Sequence, residues 1–174
     1  YFTLSWSPDS RWLAFADQIE NVNSALFIYN VEEKRLKKAT KGYHSDSNPV
    51  FSTDGQYLFY MTDRNFQAAY SSLGDGTWVY PNTTQIAALS LTKGAPFILG
   101  AKNDELNEER PEKDTSELVV DIDFEGLESR MVLLPPKAGN IRGILAFADK
   151  LVYLRSPNTG SAGGPPSLSY FDLK

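Results

Sequence analysis

The sequence predicts an all-β fold, and two observations carry that prediction. Aromatic residues make up 13% of the 174 residues. Most of them lie within short apolar and β-branched runs, which suit the half-buried surface of a pleated sheet. In addition, a segment with the pattern strand, polar turn, strand recurs along the chain. Internal repetition of this kind is typical of folds in which similar sheets pack against one another.

The repeat is clearest where residues 5–15, SWSPDSRWLAF, align without gaps on residues 50–60, VFSTDGQYLFY, at an offset of 45 residues. This offset is the size of one β-propeller blade. Asp with Ser or Gly supplies the turn in each copy. We expect the residue before each turn, Trp6 in the first copy, to pack in the core between blades. Residues 144–154 form a weaker third copy, so the sequence predicts a partial β-propeller of about three four-stranded antiparallel blades.

The predicted blades differ in length. Blade 1 covers about residues 1–41, blade 2 with its insertions about 42–136, and an incomplete blade 3 about 137–174. In blade 1 the run at 35–40 fits an outer edge strand, because its lysines suit a solvated edge. In blade 2, residues 86–91 and 119–123 both fit the third strand, and residues 131–134 fit the fourth.

Residues 102–116 differ in composition from the rest of the chain. Glu, Asp, Asn and Lys dominate this run, and apolar residues do not recur in it at the spacing of a strand or a helix. Such a segment cannot bury enough apolar surface to order itself. We therefore expect a flexible acidic insertion on the surface of blade 2.

Three blades cannot close a propeller ring, which takes four to eight. The chain therefore reads as an excised segment of a longer propeller. An open arc would leave a strand edge and an apolar blade face without neighbours. We expect such a segment to self-associate.

The net charge of −5 and the absence of cysteine narrow the functional classes. Nucleic acids and anionic membranes attract clustered Lys and Arg, and the sequence has no such cluster. We expect neither as a partner. Without cysteine there is no thiolate metal site or thiol nucleophile. Asp121 and Asp123 lie in a weak likeness of a calcium loop that lacks its later ligands, so we expect no metal and no cofactor.

His44, the single histidine, is the natural candidate for catalysis. A serine nucleophile needs an imidazole within hydrogen-bond reach and an oxyanion hole, and the sequence has no Gly-x-Ser-x-Gly elbow. We therefore expect no catalytic residue in the chain. His44 and Trp78 fit better as residues that line a channel or rim of the propeller.

Residues 5–15 and 50–60 resemble the repeats that tricorn proteases share with TolB-type propellers. Residues 120–140, VDIDFEGLESRMVLLPPKAGN, are similar to a stretch of tricorn-family propellers. Phe124 and the pair Pro136 and Lys137 are mild departures from that pattern. The resemblance implies part of the second, larger propeller of a self-compartmentalising serine protease. In that family the propellers filter access of peptides to an active site in other domains.

The resemblance also implies a cytoplasmic parent enzyme whose catalytic residues lie outside this segment. Peptides on their way to the protease, neighbouring blades and the protease domains would be its partners. Two alternatives stay open: a TolB-type protein-binding propeller, which would be periplasmic, or the propeller cap of a prolyl-oligopeptidase-like enzyme.

Overall fold

The computed structural model of the chain describes residues 3–66, 69–70, 78–100 and 118–173, with the backbone alone at 69–70 and 78–79. Within these ranges the structure is built from antiparallel strands and a single 3₁₀ turn. The predicted all-β fold is confirmed. None of the helical structure in the described part of the chain is long and apolar enough to cross a membrane.

Three sheets account for most of these strands. The first sheet has the order β1 (Leu4–Trp6), β2 (Trp12–Gln18), β3 (Ser24–Asn30), β4 (Arg35–Lys38). In the second sheet, β5 (Asp46–Phe51) and β6 (Tyr57–Thr62) are followed by β9 (Gln85–Ser90) and β10 (Met131–Leu133). β11 (Asn140–Ala146), β12 (Lys150–Ser156) and β13 (Ser167–Asp172) form the third. Between β6 and β9, β7 (Ala69–Tyr70) and β8 (Trp78–Val79) make a small separate hairpin.

The structure settles which segments complete the second sheet. Gln85–Ser90 pairs with β6 as the third strand, and residues 119–123 form no strand. The prediction that residues 131–134 supply the fourth strand is confirmed by the pairing of β10 with β9. The expected outer strand of the first sheet is confirmed as well, and all four residues of β4 are exposed. The predicted flexible insertion at 102–116 lies outside the described residues.

The three sheets pack face to face in chain order, with a hydrophobic core on each side of the second sheet. Alternate residues of β6 enter the two cores: Leu58 and Tyr60 face the first sheet, whereas Tyr57 and Phe59 face the third. Successive side chains of a strand point to opposite faces, so a strand buried on both sides is apolar throughout. Each fully buried side chain of this kind stabilises the fold by about 1.5–3 kcal/mol.

The repeated segment folds into the same hydrogen-bonded turn in both copies. The Ser7 hydroxyl donates to Asp9 Oδ1 and accepts the amide of Trp12 at 2.9 Å. The equivalent Ser52 hydroxyl donates to Asp54 and accepts the amide of Tyr57 at 2.9 Å. Short polar side chains that bond the nearby backbone stabilise turns of this kind. The shared Ser-x-Asp pattern therefore specifies the turn between the first two strands of a blade.

The segment after residue 117 ties the first two blades together although it forms no strand. Val120 donates its amide to Asp9 Oδ2 at 2.8 Å and accepts the Trp12 indole N–H at 3.0 Å. Gly55 leaves room for this segment, because a Cβ on it would lie 2.6 Å from the Val120 side chain. The Arg130 guanidinium joins this segment to the end of β9. It donates to the backbone carbonyls of Asp123 and Glu125 in the segment, and to those of Ser90 and Leu91.

The expectation that the residue before each turn packs in a core between blades holds for Phe51 and fails for Trp6 within this chain. Trp6 is 51% exposed, whereas the equivalent Phe51 is 5% exposed. Trp6 lies with Leu4 on the outer face of the first sheet, and no described residues pack a further sheet on that side. Leu145, Leu168 and Tyr170 form a similar exposed face on the third sheet. The arc of three sheets thus has an open apolar face at each end.

Asp9→Ala is expected to destabilise the chain more than Asp54→Ala, by about 1.5–3 kcal/mol, because a hydrogen bond to a charged group contributes about that much. Both aspartates hold equivalent turns, but Asp9 also accepts the amide of Val120. Burial alone would raise the pKa of Asp9, but hydrogen bonds from Ser7, Val120 and Arg11 hold it below the ordinary value. The difference should therefore be present at neutral pH and shrink in acid, as Asp9 is protonated. Urea unfolding of both variants checks this, and equal losses would contradict the bridging role of Asp9.

Candidate functional site

The candidate site lies where three connections meet at one end of the first two sheets. These are the β2–β3 loop around residues 19–23, the link from β4 to β5 at 42–45, and the β6–β9 connection with its flanks at 63–66 and 80–84. Because neighbouring strands are antiparallel, alternate connections lie at the same end of a sheet. Two blades therefore both contribute loops to one surface.

The link at 42–45 is held firmly by both blades. Asn23 Nδ2 donates to the carbonyls of Gly42 at 3.1 Å and Tyr43 at 3.2 Å. On the other side Asp63 donates its amide to the Ser45 carbonyl at 3.0 Å. Gly42 has φ +78°, and a Cβ on it would lie 2.3 Å from Ile19 Cδ1. These constraints fix the direction in which Tyr43 and His44 leave the backbone.

Aromatic side chains from this link and from the β6–β9 connection surround a shallow cavity of about 380 Å³, which we call the aromatic pocket. The His44 and Phe66 rings lie 5.3 Å apart, and Phe66 meets Tyr80 edge to face at 6.0 Å. Tyr43, Phe66 and Tyr80 are 75%, 62% and 50% exposed. The pocket is lined by Asn23, Tyr43, His44, Ser45, Asp63, Phe66, Tyr80 and Thr83.

Asp63 is the one carboxylate among the lining residues. Its Oδ1 atom accepts hydrogen bonds from the hydroxyls of Thr83 at 3.2 Å and Thr84 at 2.9 Å. These bonds join the two flanks of the β6–β9 connection. They also orient the carboxylate, since an ionised carboxylate has about four acceptor positions and two of them are used here.

Arg64 follows Asp63 directly but points the other way, into the seam between the sheets. Its guanidinium lies 3.5 Å from Glu128 Oε1 and 3.9 Å from Asp46 Oδ2, and only 18% of its side chain is exposed. Asp46 is 1% exposed. Burial raises the pKa of Asp46, and the Thr62 and Thr40 hydroxyls and Arg64 offset part of this effect. The Arg64 guanidinium thus pairs with two acidic side chains, and Arg64 is not among the residues that line the pocket.

His44, one of the two predicted rim residues, contributes a wall of this pocket. Its Nδ1 atom is buried without a hydrogen-bond partner among the described residues, and its ring packs on Phe66. A general base needs an orienting partner of the kind this imidazole does not have here. For Trp78 the structure describes the backbone alone, which pairs with Tyr70 in the β7–β8 hairpin. The channel or rim role of both residues stays a prediction.

The acidic residues weighed for calcium lie elsewhere, on the segment after residue 117. Asp123 and Glu125 both pair with the Lys93 ammonium, at 3.3 and 2.7 Å, and Asp121 is exposed. Among the residues that the structure describes, no group of three or more His, Asp or Glu side chains could hold a metal ion.

Sequence reasoning missed Tyr43, Asp63, Phe66 and Tyr80. Each stands in a connection with no regular spacing, and Phe66 and Tyr80 are separated by the β7–β8 hairpin. One available signal was the concentration of polar and aromatic residues directly after the apolar strand 57–62. That signal marks a loop but does not show which residues meet across it.

The sheet order and packing define a β-propeller segment, and comparison with known proteins agrees. The structure resembles the crystal structure of the tricorn protease with a TM-score of 0.74 and 17% identity, over 98% of this chain and 17% of that one. It also resembles a TolB structure from Agrobacterium tumefaciens with a TM-score of 0.57 and 12% identity, over 100% of this chain and 48% of the other. At these identities the likenesses show the fold alone.

Sequence comparison goes further than fold. The family profile of the tricorn protease second β-propeller domain matches residues 1–174. Tricorn protease homolog 1 of Streptomyces coelicolor is 28% identical over 166 residues, which cover 92% of this chain and 15% of that protein. The chain therefore belongs to the tricorn protease family and corresponds to the second propeller domain, as the sequence resemblance predicted. It spans about one seventh of the length of this relative.

Gly42→Ala is expected to destabilise the chain by more than 1 kcal/mol, because a Cβ at this positive φ also meets Ile19, and to change the aromatic pocket. Two matched variants separate the causes. Gly143→Ala has a similar φ of +61° with open space around it, and Gly94→Ala has open space without a positive φ. Thermal unfolding should rank the losses Gly42 first, Gly143 second and Gly94 last. A harmless Gly42→Ala would show that the link at 42–45 is not fixed as described.

Proposed function

We propose that this chain is a non-catalytic part of the propeller of a tricorn-like serine protease and filters the peptides that reach an active site in other domains. The observation that carries the proposal is the aromatic pocket, in which rings from the link at 42–45 and from the β6–β9 connection are exposed where two blades meet. Membership of the tricorn family supplies the peptidase context.

The pocket suits weak and broad recognition of peptides. Aromatic side chains give a large contact area at a low cost in side-chain entropy, because each has only two rotatable bonds. The hydrogen bonds from Asn23 and Asp63 hold the link before any ligand arrives, so little further ordering is needed on binding. A filter of this kind does not need high affinity.

The same proposal places catalysis outside the chain. His44 packs on Phe66, and its Nδ1 atom has no partner in the described ranges, so this imidazole is not arranged to activate a serine. The parent protein would be a cytoplasmic hydrolase, and cell fractionation of the native protein checks that location.

Taken alone, the chain would also self-associate through its open faces. Leu4 and Trp6 on the first sheet, and Leu145 and Leu168 on the third, form apolar surfaces that would be covered in a larger ring. Light scattering across a dilution series should show a mass that rises with concentration. A stable monomer at micromolar concentration would contradict this part of the proposal.

The filtering role is tested in the intact protease that contains this chain. Phe66→Leu should lower kcat/KM for long peptides by about 2- to 10-fold, the range expected for the loss of one aromatic contact, and leave short substrates unchanged. Phe97→Leu is the matched control, because Phe97 is equally exposed, at 63%, and does not line the pocket.

A loss of activity on long and short substrates alike would place Phe66 in catalysis or folding and would contradict the filtering role.

The isolated chain should hydrolyse no fluorogenic peptide. Hydrolysis that disappears with His44→Ala would overturn the non-catalytic assignment.

A further inference from the structure

We propose that the aromatic pocket binds a cationic side chain, that of lysine or arginine, on an otherwise unstructured peptide. This inference rests on the proposed function and names the chemical group that the pocket selects. Three features of the pocket support this inference: the exposed aromatic rings, the single carboxylate of Asp63, and the position of Arg64 outside the pocket lining.

The ring arrangement is suited to a cation. Aromatic faces carry a negative quadrupole potential and attract an ammonium or guanidinium group within about 6 Å of the ring centre. Phe66 and Tyr80 stand nearly perpendicular, at 89°, and His44 is tilted by 40° from Phe66. Phe66 and Tyr80 stay 62% and 50% exposed although they contact each other edge to face, so part of each ring is open to a ligand.

The charges around the pocket favour a cation as well. Asp63 is the one Asp or Glu among the described residues that line the cavity, and no described Lys or Arg lines it. The nearest arginine in sequence, Arg64, is held beneath the pocket by Glu128 and Asp46. The negative charge of Asp63 is therefore not neutralised at short range by its neighbour.

Other side chains fit this space less well. A purely apolar side chain would cover the carboxylate of Asp63 without supplying an opposite charge, and burying a charge that has no counter-charge is unfavourable. An acidic side chain would face Asp63 with the same sign. The cavity of about 380 Å³ lies at the lower end of the range of ligand sites, about 300–1,000 Å³, and suits one side chain better than a folded partner.

The test compares three blocked tripeptides, acetyl-Ala-X-Ala-amide with X as lysine, norleucine or glutamate. Each is titrated by NMR into the 174-residue chain at a concentration where light scattering finds the monomer. We expect the lysine peptide to bind about 5- to 10-fold more tightly than the norleucine peptide, as one cation–π contact with a nearby carboxylate implies. The glutamate peptide should bind most weakly. Shifted resonances should lie at residues 43–45, 63–66 and 80–83. Added salt should weaken binding of lysine alone.

Two pairs of variants assign the effect to the pocket. Asp63→Asn keeps an acceptor for Thr83 and Thr84 and removes the charge, so it should abolish the preference for lysine over norleucine. Glu33→Gln removes the same charge at the opposite end of the first sheet and should preserve the preference. Phe66→Leu should weaken lysine binding, whereas Phe97→Leu should not. Dispersed amide resonances in every variant show that it is folded.

The failure of this inference is distinguishable from that of the proposed function. Equal binding of the lysine and norleucine peptides at the pocket would overturn the cationic preference and leave peptide filtering in place. A preference for lysine that Asp63→Asn does not change would also overturn it. If no tripeptide perturbs residues around the pocket, the inference is wrong, and the kinetics of Phe66→Leu on long peptides decide the filtering role separately.

Discussion

The burial of β6 on both faces is the constraint on which the rest of the structure depends. Leu58 and Tyr60 enter the core shared with the first sheet, while Tyr57 and Phe59 enter the core shared with the third. A strand in this position cannot slip by one residue without exchanging the contents of two cores. It therefore fixes the stacking of three sheets, and every connection at their ends is placed relative to it.

The seam between the first two sheets shows how a propeller adds polar specificity to apolar stacking. Asp9 and Trp12 of the first blade hold Val120, and Arg130 holds the crossing chain through backbone carbonyls. An irregular segment has backbone groups that must find partners when buried. Here the Val120 amide and carbonyl find partners in the first blade, so residues 118–123 connect two blades without being a strand of either. The long insertion in the second blade thus returns to a defined place.

The aromatic pocket and the buried acidic groups are linked through two neighbouring residues, because Asp63 lines the pocket whereas Arg64 pairs with the acidic groups. Asp46 and Tyr60 are buried in the seam, and burial raises the pKa of both groups. The Arg64 guanidinium pairs with Asp46 and Glu128, and Arg64 does not line the pocket. The outer surface keeps the exposed aromatic rings and Asp63. The ion pairs of Arg64 therefore leave Asp63 as the one carboxylate among the lining residues of the pocket.

The sequence by itself determined the all-β class, the repeat, the positions of the Asp-containing turns, the outer strands and the family, because these depend on local patterns of turn chemistry and alternation. Tertiary structure decided the rest. It chose Gln85–Ser90 over residues 119–123 as the third strand, since pairing with β6 depends on contacts distant in sequence. It left Trp6 exposed, and it brought Tyr43, Asp63, Phe66 and Tyr80 to the side of His44. Residues in separate loops carry no shared period, so their meeting is set only when the sheets stack.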